Sequence, residues 1–248
     1  MRLLLINPNI SDSVSELIRN EAQLSAPDGV QIEVMTAAFG VAYIETRFEA
    51  LIGAYAAAEL AAEHHAQFDA LVIAAFGDPG LDGLREALPI PVTGLTEAAL
   101  TSAHLLGHRI SIIAISQRIQ SWYRAVVESY GFGDRLASIR SLDLPLRDIA
   151  GVQAEHGAAL KTLAERAERE DGADVIVLAG APLAGLARSL QGQLPVPMVD
   201  GVASAVRHAA NLVALQAGKA TQGSFAPPPK KSNRGLSPAL ARLLDRGQ

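Results

Sequence analysis

The sequence predicts an α/β protein of two pseudo-symmetric lobes, each a mostly parallel sheet flanked by helices, with a ligand cleft between them. Three observations point there. Short apolar runs alternate with longer helical stretches along the whole chain. Hydrophobic residues make up 49% of the 248 positions against 19% charged, enough to bury the core of one large domain or two small lobes. Residues 71–81 (LVIAAFGDPGL) and 175–186 (VIVLAGAPLAGL) repeat one design, an apolar strand emptying into a turn of small residues.

In chain order, the strand-like runs are 3–6, 31–35, 71–74, 92–94, 110–115, 139–142, 175–178 and 198–199. Helical stretches between them give a βα rhythm, which implies parallel sheet covered by helices. The first helix has a visible start, because Ser13 and Glu16 stand at capping-box spacing and Val14, Leu17 and Ile18 form its apolar stripe. Alanine-rich segments at 56–66 and 158–167 read as surface helices, and Gly131 with Gly133 closes the helix carrying Trp122 and Tyr123. The run at 110–115 and the GAPLAGL turn occupy, in the second half, the places of the opening strand and the AFGDPGL turn in the first. The expected division is residues 1–97 with 201–217 as the first lobe, 98–200 as the second, and 218–248 as a C-terminal arm. Residues 201–216 form the late helix that returns to the first lobe. The arm carries three prolines at 227–229, six basic residues against Asp245, and a short amphipathic SPALARLLDR. Its scattered charges favour packing on its own or a neighbouring subunit over a targeting role.

A formal charge of −5 and an aromatic content of 4% exclude a nucleic-acid surface, which needs a basic stripe and stacking rings. A small molecule is the expected partner. Residues 1–6 are too short for a signal-peptide apolar region and no later run reaches membrane-spanning length, so a cytoplasmic location with no membrane partner is expected. The absence of cysteine removes disulfides, thiolate zinc sites, iron–sulfur ligation and thiol nucleophiles together. His104 and His108 are spaced to share a helix face as a metal pair does, yet no third ligand stands near them in sequence. The adjacent His64 and His65 point to different sides of a helix. No metal or cofactor is implied, and there is no Walker loop, GxSxG elbow or GxGxxG opening a helix.

The two turns, together with NPN at 7–9, YIET at 43–46, GLTEAA at 94–99 and DGV at 200–202, resemble the hydantoin racemase branch of the aspartate/glutamate racemase superfamily. The resemblance runs nearly the length of the chain. It implies two Rossmann-like lobes with the ligand in the cleft, cofactor-independent chemistry and a homo-oligomer. It also implies a cysteine in each turn, the two facing each other across the substrate, because inverting a carbon acid needs a base on one face and an acid on the other. Aligned on the turns, those positions are Ala75 and Gly180 here. Neither side chain moves a proton, so two-thiol racemisation is excluded for this polypeptide.

What remains is a binding cleft of the kind found beyond the carboxyl ends of parallel strands. Its expected lining is Asn7, Pro8, Asn9, Phe76, Gly77, Thr96, Ser116, Ala181, Pro182 and Leu183, with turn amides placed to hold an enolate or carboxylate. The glycines of the turns also have a purely conformational reading, as the residues that permit tight strand-to-helix connections. Asp78, Glu45 and Glu97 are the candidate replacements for the thiols. Asp78 equally suits capping of the following helix, and Glu45 and Glu97 serve as base and acid only if burial raises one pKa. The expected function is an isomerase- or racemase-like enzyme acting on a small carbonyl or carboxylate compound through non-thiol groups. A non-catalytic small-molecule binding protein and a thiol-free engineered form of a hydantoin racemase are the alternatives.

Overall fold

The computed structural model describes residues 1–143 and 148–245. Its elements in order are β1 (Arg2–Asn7), α1 (Asp12–Ser25), β2 (Gln31–Thr36), α2 (Arg47–His64), β3 (Ala70–Ile73), α3 (Leu81–Ala87), β4 (Val92–Gly94), α4 (Leu95–His104), β5 (Ile110–Ala114), α5 (Gln120–Ser129), β6 (Leu136–Ser141), α6 (Val152–Asp171), β7 (Val175–Leu178), α7 (Leu186–Ser189), β8 (Met198–Asp200), α8 (Gly201–Leu215) and α9 (Pro238–Asp245). The strands build two four-stranded sheets with the orders β2-β1-β3-β4 and β6-β5-β7-β8. Every pairing is parallel. The two halves therefore share one topology, and every run read as a strand is one.

Period-two alternation decides where each strand side chain goes. Leu3 and Leu5 of β1 enter a core with Val14 and Ile18 of α1 and with Val202, Val206 and Ala209 of α8. Leu4 and Ile6 enter the opposite core with Ala57 and Ala61 of α2, Leu84 of α3 and Leu243 of α9. In the second sheet Ile110 and Ile112 face Ala99, Leu100 and Ala103 of α4 and Trp122 and Tyr123 of α5, while Ile113 faces Leu160 and Ala164 of α6. Central strands are thus covered on both faces, which explains why they read as continuous apolar runs. Helix α8 returns from the second sheet onto α1, α4 and β3.

Five local expectations need correction. The cap of α1 is Ser11, whose Oγ accepts the Val14 amide at 3.3 Å. Ser13 instead contacts Ser11 and Glu16 pairs with Arg19. The Asn9 side chain accepts the Ser11 amide at 2.9 Å and starts the helix two residues early. Strand β6 begins at Leu136, where Ser138 meets Ser111 across the ladder. The alanine-rich stretch of α2 is not a free surface, because Ala56, Ala57 and Ala61 are sealed against the sheet and α9. His104 ends α4, so His108 lies beyond the helix, where its Nδ1 meets Arg135; the two histidines share no helix face. His65 likewise sits in a 3-10 turn after α2 with Nδ1 on the Ala61 carbonyl.

Candidate active site

The turn after β3 is held by its own small residues. Gly77 adopts φ +96 and Gly80 φ +82, and Asp78 between them takes φ +48, a left-handed conformation uncommon for a side chain-bearing residue. Compensation comes from hydrogen bonds. Asp78 accepts the amides of Thr96 and Glu97 at 2.9 and 3.0 Å and the Tyr130 hydroxyl at 2.9 Å. Its carboxyl fills the space that a Gly94 side chain would occupy. Asp78 therefore caps α4, the helix after the next strand, and not α3, which follows the turn directly and has Gly80 as its cap. Burial drives the Asp78 pKa up to about 7, with the two amides and the phenol opposing the shift. Thr96 completes the brace by accepting the Gly77 amide at 2.6 Å.

The second turn is braced in reciprocal fashion. Asp200, at the end of β8, caps α8 by accepting the amides of Val202 and Ala203, and its other oxygen accepts the Gly185 amide at 2.7 Å. Burial raises its pKa to about 6. In the first lobe the turn supplies the carboxylate and the neighbouring helix the amides; in the second the neighbouring strand supplies the carboxylate and the turn an amide.

Aromatic rings from α5 join the two turns. Trp122 lies over Gly77, where an added methyl would collide with the indole ring. Tyr123 packs on Phe76 with ring centroids 4.7 Å apart. Its hydroxyl lies 4.0 Å from the point where a Gly180 side chain would begin. Gly180 itself sits at φ +103 and ψ 144, a backbone state that L side chains rarely adopt. Ala75 and Gly180 hence offer no proton-moving group, and Gly180 also offers no ready attachment point for one. Gln153 secures the rest of the second turn by donating to the Pro182 and Ala184 carbonyls, with Ala181, Pro182 and Leu183 buried.

The remaining candidates fall into distinct settings. Asn7 and Asn9 are buried and knit the NPN turn, the Asn7 amide group donating to Asn9, Ser11 and Ser15. Pro8 is buried with them, its carbonyl facing Gly53. Ser116 caps a 3-10 turn through the Arg118 amide. Glu45 precedes the α2 cap, a true capping box in which Thr46 and Glu49 satisfy one another's amides. It lines a cavity of about 390 Å³ with Arg118, Ser121 and Trp122. Glu97 is elsewhere: Arg85 holds its carboxylate, which borders a separate cavity of about 790 Å³ also lined by Leu212, Lys219 and Phe225.

Sequence reasoning did not single out Trp122, Tyr123, Tyr130 or Tyr43 as site residues. Three of the four tyrosines in the chain gather at the first turn and its neighbours. Burial raises the pKa of all three phenols, with Asp78 adding to the shifts of Tyr123 and Tyr130. They are hydrogen-bond donors at neutral pH. The scarcity of aromatics was the available signal, since a chain with so few rings has little reason to place Trp122 and Tyr123 side by side.

Comparison with known proteins agrees with this architecture. The chain is 37% identical over 236 residues to the hydantoin racemase of Paenarthrobacter aurescens, covering 93% of this chain and 99% of that protein. The allantoin racemase structure from Klebsiella pneumoniae superposes with a TM-score of 0.92 at 34% identity, covering 97% of this chain and 98% of that one. That of Pseudomonas fluorescens gives 0.88 at 33%, over 95% and 100% of the two chains. The Asp/Glu/hydantoin racemase family matches residues 3–209, and with the paired parallel sheets and two braced turns this establishes that the chain belongs to that family.

Proposed function

We propose that this protein binds a small carbonyl or carboxylate compound between the two turns and acts on it as an isomerase- or racemase-like enzyme without thiols. The observation that carries the reading is the pair of carboxylate-braced turns, Asp78 on the amides of Thr96 and Glu97 and Asp200 on that of Gly185, in a chain without cysteine, with Ala75 and Gly180 at the places where the family resemblance leads one to expect thiols. Hydantoins and allantoin, named for the relatives above, are the first compounds to consider.

Glu45 is the base this reading favours. Asp78 has both oxygens committed to amides and a phenol, and Glu97 is committed to Arg85. The Glu45 side chain lines the 390 Å³ cavity beside Trp122 and has no hydrogen-bond partner among the described residues. It takes the α-proton, leaving an enolate whose oxygen is held by donors in the cleft, and the carbon is reprotonated from solvent or from the opposite face. The test is loss of the α-proton NMR signal in D₂O across 5-substituted hydantoins, allantoin, and amino and 2-hydroxy acids. Exchange that disappears in Glu45→Gln is the expected result. If no compound exchanges while one raises the melting temperature, the protein is a binding protein and the catalytic reading fails.

A further inference from the structure

Helix α2 carries its small residues inward and its large apolar ones outward. Gly53, Ala56, Ala57 and Ala61 are buried, and the alanine side is covered by the first sheet and α9. Phe48, Leu51 and Tyr55 stand at i, i+3 and i+7 on the opposite side and are 72, 67 and 46% exposed. A helix that is apolar all round is ordinarily covered all round, and this one is covered on one side only. The loop after β2 extends the patch. Phe39 packs on Tyr55 with ring centroids 5.6 Å apart, and Ile10, whose amide donates to the Val41 carbonyl, stands beside that loop. Phe39, Phe48 and Tyr55 are three of the four exposed aromatic rings among the described residues, and exposed rings gather where a protein surface meets another.

We propose that this face is where two copies of the chain pair by a two-fold axis, α2 packing antiparallel on α2 across Phe48, Leu51 and Tyr55. Area and charge both point to a second copy as the occupant. At their observed exposures Ile10, Phe39, Phe48, Leu51 and Tyr55 present roughly 500 Å² of apolar surface. A standard interface takes about 800 Å² from each partner, about 65% of it apolar in homodimers, so the patch is the apolar share of one such interface. A two-fold contact must also be complementary to itself. The exposed side of α2 meets that condition, with Arg47 at its start and Glu59 and Glu63 toward its end. With the axis between Leu51 and Ile52, Phe48 faces Tyr55 of the second copy and Arg47 comes within reach of its Glu59. The pairing does not depend on the function proposed above. It does adjoin that site, because Arg47 and Phe48 also line the 390 Å³ cavity with Glu45 and Trp122.

The test measures mass by light scattering at micromolar concentration and cross-linking through a single introduced thiol, which a chain without cysteine makes unambiguous. Wild type should show an even multiple of the 26.0 kDa chain. Leu51→Arg brings two like charges to the centre of the contact and should weaken association by about a hundredfold or more, lowering the mass while circular dichroism stays unchanged. Leu51→Cys should oxidise to a covalent dimer that keeps the wild-type mass. Leu24→Cys is the control, because Leu24 is 66% exposed on α1, which packs on the other face of the first sheet; it should oxidise far more slowly. A single-chain mass for wild type overturns the proposal and leaves the face to a different partner. An assembly that survives Leu51→Arg, or equal cross-linking from the two cysteine variants, overturns it as well by placing the contact elsewhere.

Discussion

Replacing Asp78 with asparagine should flatten the pH dependence of stability. The buried carboxyl holds its proton to about pH 7, against an ordinary value of 3.8. A folded-state pKa above the unfolded one means that the native state binds more protons over that interval, so stability is full below the unfolded value and falls as pH rises through 7. The gap of about 3 units, at about 1.4 kcal/mol per unit, is about 4 kcal/mol in all. Between about pH 5 and about pH 8 the Asp78 share is about 2.5 kcal/mol. Asp200, raised to about 6 by burial, adds about 1.5 kcal/mol in the same direction. Glu170, Asp171 and Asp174 are shifted downward by arginine and amide partners, so their opposite contributions are complete at lower pH and do not mask the slope. Urea unfolding followed by circular dichroism at several pH values measures it. Wild type should lose about 4 kcal/mol from pH 5 to pH 8 and Asp78→Asn only about 1.5. Asparagine forfeits one of the three bonds, which lowers the whole curve by about 1 kcal/mol without tilting it. A variant that keeps the wild-type slope refutes the assignment.

Other substitutions probe separate braces. Glu21 is 3% exposed and receives Arg188 from the second lobe at 2.7 Å, so Arg188→Met, which strands a buried carboxylate, should cost about 3 kcal/mol in urea unfolding; a neutral result would show that Ser25 and solvent satisfy it. Gly180→Ala meets no atom closer than 3.5 Å, yet its positive φ should cost about 1–3 kcal/mol, read as a lower melting temperature, and Gly180→Cys carries the same penalty. Thr96→Val removes the acceptor of the Gly77 amide and should destabilise by about 1–2 kcal/mol; an unchanged melting temperature argues against that bond. Leu243→Ala opens a gap between α9 and α2 and should cost about 2–3 kcal/mol, with faster proteolysis in the preceding tail as the visible sign.

Much of the architecture was legible because the central strands are buried on both faces, and double burial writes a continuous apolar run such as LLLI or VIVL. Boundaries were less legible. The start of α1 was misread because the decisive partner, Asn9, lies outside the helix and acts through a turn. The cap of α2 was written plainly as Thr46 and Glu49, but the same letters belong to the YIET motif and drew attention to Glu45. At the site, the two turns are local features and so could be read from the chain. The contacts that give them chemistry are not local: Asp78 with Tyr130 joins residues 52 apart, and the approach of Tyr123 to Gly180 depends on how α5 settles between the lobes. No spacing rule connects such positions.

The reciprocal carboxylate braces have a mechanical consequence. Each turn is referenced to the strand and helix beside it in its own sheet, Asp78 through the start of α4 and Asp200 through the start of α8. Other polar ties cross between the two halves, the Tyr130 hydroxyl on Asp78, Arg188 on Glu21 and Arg47 on the Ser121 carbonyl among them. A movement that parts the lobes would therefore carry each turn with its own carboxylate cap, and its resistance would come from the contacts α5 makes with the first turn, the Tyr130 hydroxyl on Asp78 and Trp122 over Gly77.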